Sequence, residues 1–110
     1  MGINYQLHRV SVDAAKGYRQ FQKADSKLAK GDIDSAVSHL KKGLNLFATA
    51  CDHALKAEDD AYNKAGNEID KGNKQMQKSI DEYDNGNADS AANHYADALN
   101  DYDKALDLIS

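Results

Sequence analysis

The chain has 110 residues with 17 Ala, 9 Leu, one Cys and no Pro or Trp, and 29% of its positions are charged. One cysteine excludes a disulfide scaffold, the lack of proline excludes collagen-like or Pro-rich segments, and no apolar run approaches the roughly 20 residues that span a bilayer. A single domain, residues 1–110, is expected at this length, and a net charge of -4 argues against a nucleic-acid partner.

From the N-terminus, Met1 to Val12 holds no apolar run of the signal-peptide kind, so a cytoplasmic protein is expected; a periplasmic or secreted one would need a leader already removed. Leu7, Val10, Ala14, Tyr18, Phe21, Ala24 and Leu28 step by three or four, the stripe of an amphipathic helix. Gly31 then supplies a left-handed residue to end that helix, and Asp32 can cap the next. Ile33, Ala36, Val37, Leu40, Leu44, Phe47, Cys51 and Ala54 mark the second helix. Lys56 to Asp60 contains neither Gly nor Pro, so the second and third helices could run on as one rod of about 52 residues and 78 Å. Asp59 and Asp60 favour a break, because Asp starts helices well. The third stripe is Tyr62, Ala65, Ile69, Met76, Ile80 and Tyr83. Gly86 and Asn87 repeat the turn, and Ala88, Ala91, Tyr95, Leu99, Tyr102, Leu106 and Ile109 form the fourth.

Residues 16–45 align without gaps to residues 71–100 at an offset of 55, with 12 of 30 positions identical. The matches include Gly17/Gly72, Gln20/Gln75, Gly31/Gly86, Asp34/Asp89, His39/His94 and Leu44/Leu99. The chain therefore divides into copies 1–55 and 56–110. Each copy reads as a helical hairpin, and the expected fold is all-α: an antiparallel four-helix bundle of two tandem hairpins. Charge divides with the copies. Residues 1–55 hold eight Lys and Arg against five Asp and Glu, +3, and residues 56–110 hold six against thirteen, -7. A basic first helix beside an acidic last one would satisfy both.

Around the turns, Gly31, Ala36, Leu40 and Gly43 recur as Gly86, Ala91, Tyr95 and Ala98. This pattern resembles the inner half of a tetratricopeptide repeat and is similar to hairpins of microtubule-interacting and transport domains. Both families bind other proteins, and the resemblance implies a protein partner.

Three sets of residues carry candidate chemistry. His39 and His94 occupy equivalent places four residues after Ser35 and Ser90, and with His53 and Cys51 they form the candidate transition-metal set. The competing expectation is that each His bonds the Ser one turn back and that Cys51 is a buried small hydrophobe. Arg9, Lys16, Lys23 and Lys30, spaced by seven, and Lys64, Lys71 and Lys78 at matching positions of the second copy, form two basic lines suited to an acidic partner. No Glu precedes a His at di-iron spacing, and the Asp-rich turn lacks EF-hand ligands at the required positions. The function expected is non-catalytic, by protein–protein interaction or homo-oligomerisation and without a cofactor; metal binding by histidines is the alternative.

Overall fold

In the computed structural model, which describes residues 2–110, four helices follow in order: α1 (Gly2–Ala29), α2 (Ile33–Lys56), α3 (Asp60–Asp84) and α4 (Ala88–Leu108). They form an antiparallel four-helix bundle of two hairpins measuring 44 × 19 × 18 Å. Its long dimension is that of α1, whose 28 residues rise about 42 Å.

Both hairpins turn identically. Gly31 and Gly86 have φ of 79° and 80°. Their N–H groups donate to Leu28 O (3.0 Å) and Tyr83 O (3.2 Å), and the next residues, Asp32 and Asn87, donate to Lys27 O (2.9 Å) and Glu82 O (2.8 Å). This nested pair satisfies carbonyls that a helix end would otherwise leave open. A Cβ built on either glycine meets nothing within 4 Å, so backbone conformation alone demands glycine. Gly31→Ala or Gly86→Ala is expected to lower stability by about 1–2 kcal/mol, visible as a fall in Tm of at least about 4 °C by circular dichroism.

The break after Lys56 is real. Asp59 accepts the Tyr62 N–H at 3.1 Å and starts α3. Asn63, one turn further on, donates through Nδ2 to Ala54 O (3.0 Å) and Ala57 O (2.9 Å), so α3 adds a side-chain cap to the end of α2. Asp32 caps α2 by accepting the Ser35 N–H at 3.2 Å. Asn87 differs from expectation, because its side chain makes no capping bond.

Glycines set the hairpin spacing. A Cβ on Gly17 would sit 2.6 Å from the Phe47 ring, and one on the equivalent Gly72 would sit 2.6 Å from the Tyr102 ring. Gly43 lies so close to Phe21 that an added Cβ would fall 2.7 Å from Cδ1 and 2.9 Å from Cζ. The residues of the recurring turn pattern have packing roles here: Gly31 turns, Ala36 and Leu40 are buried, and Gly43 receives a ring. At the centre Phe47 and Tyr102, 55 positions apart, stack with centroids 3.9 Å apart, and Phe21 lies parallel at 5.7 and 5.8 Å from them. Tyr102 completes its site by donating to Asn73 Oδ1 at 2.6 Å.

Two stripes differ from the sequence pattern. In α4 the core is built from Ala91, Ala98, Tyr102 and Ala105; the larger Tyr95, Leu99, Leu106 and Ile109 are only partly buried, and Ala88 is exposed. In α1 the charged Asp13 is 1% exposed, held by Arg9 at 3.0 Å.

Candidate functional site

The partly buried face of α4 leads to the site. Backbones approach closely between α1 and α2, α2 and α3, and α3 and α4, but α1 and α4 stand farther apart. Side chains bridge them. Tyr18 donates to Asp103 Oδ1 at 2.8 Å, Tyr95 donates to Phe21 O at 3.4 Å, and the Tyr95 ring meets Phe21 edge-on at 6.0 Å. Among the described residues the ion pairs are Arg9–Asp13, Lys71–Glu68 and Lys74–Asp70, each within one helix. The expectation that opposite charges join the first and last helices is therefore replaced by tyrosine hydroxyls.

Two hollows remain along this seam. One, of about 350 Å³, is lined by Ala14, Ala15, Tyr18, Leu106 and Ile109; the other, of about 200 Å³, by Tyr18, Phe21, Asp25, Tyr95, Leu99 and Asp103. Tyr18 belongs to both. Burial first, and the Asp103 carboxylate second, push its hydroxyl well above the usual tyrosine range, and burial with Asp25 does the same to Tyr95. Both hydroxyls are thus firm donors. A larger hollow of about 660 Å³ lies at the α3–α4 tip, walled by Glu82, Gly86, Asn87, Ala88, Asp89 and Ser90, with no large apolar side chain among them.

The lysines of both basic lines lie on the surface. Lys16 and Lys23 are exposed on α1, Lys30 just past its end, and Lys64, Lys71 and Lys78 on α3. Arg9 turns inward to Asp13, and Lys71 pairs with Glu68 at 3.3 Å.

The histidines find glutamines. His39 Nδ1 lies 2.8 Å from Gln20 Oε1, and His94 Nδ1 lies 2.9 Å from Gln75 Oε1, one pair in each hairpin. His53 meets Gln6 in the same manner. The serines one turn back are not the partners. Partial burial, then Lys42, Lys23 and Lys27, lower the His39 pKa below the usual histidine value. Among the described residues no three His, Cys, Asp or Glu side chains gather to hold an ion, so His39, His94, His53 and Cys51 are not assembled into one site. The sequence signal for these pairs was present: Gln20 and His39 are both repeated 55 residues on.

Cys51 is buried, and its thiol donates to Gly66 O at 3.3 Å. Burial, followed by Asp70 and Asp52, pushes the thiol pKa from 9.0 up to about 11. Native protein at pH 8 is therefore expected to react with a disulfide reagent at least about 100-fold more slowly than unfolded protein. The same shift has a thermodynamic side. An acid whose folded pKa exceeds its unfolded value is held protonated by the fold, so the unfolded chain releases its proton first as pH rises. Stability is expected to fall from about pH 9 upward, as the unfolded chain ionises Cys51 and then Tyr18, Tyr83, Tyr95 and Tyr102 while the fold keeps them protonated. Urea midpoints measured from pH 7 to pH 11 check this.

Among the described residues no helix is long and apolar enough to cross a membrane. The chain matches no protein-family model, no curated protein and no solved structure.

Proposed function

We propose that this chain is a non-catalytic helical module that acts by binding another protein, with self-association as the other form of the same behaviour. The observation that carries the proposal is the seam between α1 and α4. A bundle closed for its own sake would bury Leu99, Leu106, Ile109 and Tyr95 fully, whereas here they line a solvent-open groove with a polar edge. The exposed lysines of α1 and α3 offer a second, more diffuse surface.

Native mass spectrometry of protein isolated from its own host, joined to light scattering, tests the proposal. The expected result is a complex or oligomer of fixed stoichiometry that is lost when groove residues are altered. A monomer that carries nothing at concentrations of about 100 μM overturns it, since specific interfaces of ordinary size bind more tightly than this.

A further inference from the structure

We infer that the α1–α4 groove receives a basic amphipathic helix from a partner protein, an inference that rests on the protein-binding function proposed above.

The floor of the groove sets the first requirement. Ala14, Ala15, Leu106 and Ile109 surround one hollow, and Phe21, Tyr95 and Leu99 the other. On α1 the linings run from Ser11 to Tyr18 and from Tyr18 to Asp25. The hollows are thus displaced by seven residues, about 10 Å, or two helical turns. A guest helix lying along the seam would place apolar side chains at i and i+7 into the two hollows, with Tyr18 between them.

Charge sets the second requirement. Asp25 and Asp103 line the groove, and Asp107 lies close enough to act on the Tyr18 hydroxyl. Among the described residues none of the three is in an ion pair. Lys16 and Lys23 lie about 150° around α1 from Tyr18, and the exposed Arg19 and Lys104, next to Tyr18 and Asp103, are turned about 100° from them and are not within salt-bridge distance of any of the three. An apolar floor with uncompensated carboxylates along it complements a helix whose apolar stripe is flanked by Lys or Arg. A helix flanked by acids would bring like charges together.

A second copy of this chain fits less well. The exposed large apolar residues among those described are Tyr5, Leu55 and Leu108, one on each of three helices. Outside the groove itself, no helix of a second copy therefore presents two such residues at i and i+7. Leu99 and Leu106 have that spacing, but a copy docking through them would set its own Asp25 and Asp103 against the same carboxylates, so the guest comes from another protein.

The test uses two synthetic helical peptides about 18 residues long. Both carry leucines on one stripe; one is flanked by lysines, the other by glutamates. Binding to the full chain is followed by amide chemical shifts. The expected result is that the lysine peptide shifts Ala15, Tyr18, Leu99 and Leu106, binds at least about tenfold more tightly than the glutamate peptide, and weakens with salt. Ala15→Arg, at an exposed position on the groove wall, should weaken it at least about tenfold by repelling the peptide's lysines, whereas Lys23→Glu should not. Equal binding of both peptides, or no shift with either, overturns the inference. If the glutamate peptide instead shifts Lys16, Lys23 and Lys30, the inference falls and the broader protein-binding function stands. Groove shifts that grow with protein concentration alone would assign the groove to a second copy and likewise overturn it.

Discussion

Phe47→Ala is expected to lower the free energy of unfolding by about 3–5 kcal/mol, a large part of the 5–15 kcal/mol that a domain possesses. The ring is fully buried. It stacks on Tyr102 at 3.9 Å, meets Tyr18 edge-on at 5.2 Å and covers Gly17, where no side chain could replace it. Truncation loses the transfer free energy of the ring and leaves a cavity that a glycine wall cannot fill. Tyr102→Phe provides the scale. It keeps the stack and removes only the 2.6 Å bond to Asn73, so it should cost about 1 kcal/mol. Urea unfolding followed by circular dichroism separates the two, with the m-value unchanged.

Gly43→Val should cost about 3 kcal/mol through overpacking. A mid-helix Gly is about 1 kcal/mol worse than Ala for the helix itself, so propensity favours replacement. Sterics decide against it, because the Phe21 ring facing Gly43 is itself fixed by Phe47, Tyr95 and Tyr102 and has nowhere to go. Gly66→Ala is the control. Its Cβ would meet chiefly the Leu55 side chain, which is 47% exposed and free to move, with Ala54 Cβ at 3.3 Å needing to give by only a few tenths of an ångström. Stability should therefore stay within about 1–1.5 kcal/mol of the parent, a cost well below that of Gly43→Val. The second copy shows the other solution, with buried Ala98 and Met76 at the places of Gly43 and Phe21. Gly43→Ala with Phe21→Met should therefore be less destabilised than the sum of the single changes, by about 0.5 kcal/mol or more in a double-mutant cycle.

The helices, their turns and the break before Asp60 were legible because each rests on local chemistry: a period near 3.6, a glycine at a left-handed turn, an Asp able to cap. What depends on the meeting of helices was not. Gln20 and His39 come together only in the register of α1 on α2. Ala98 and Ala105 enter the core ahead of Leu99 and Leu106 because α4 turns its small residues toward a centre already filled by Phe21, Phe47 and Tyr102. Charge suggested that the first and last helices would close on one another. Net charge carries no information about distance, and the bulk of Tyr18, Phe21 and Tyr95 keeps that seam wide enough to leave a groove.

The order of neighbours also bears on how the chain folds. Close packing links each helix to the next in sequence, while the ends of the chain meet through a few aromatic side chains. Each hairpin can form before the ends find one another, so little loop entropy opposes the early steps. Such locally wired helical proteins fold in microseconds to milliseconds, and the α1–α4 seam, whose closure spans the whole chain, is the last to set.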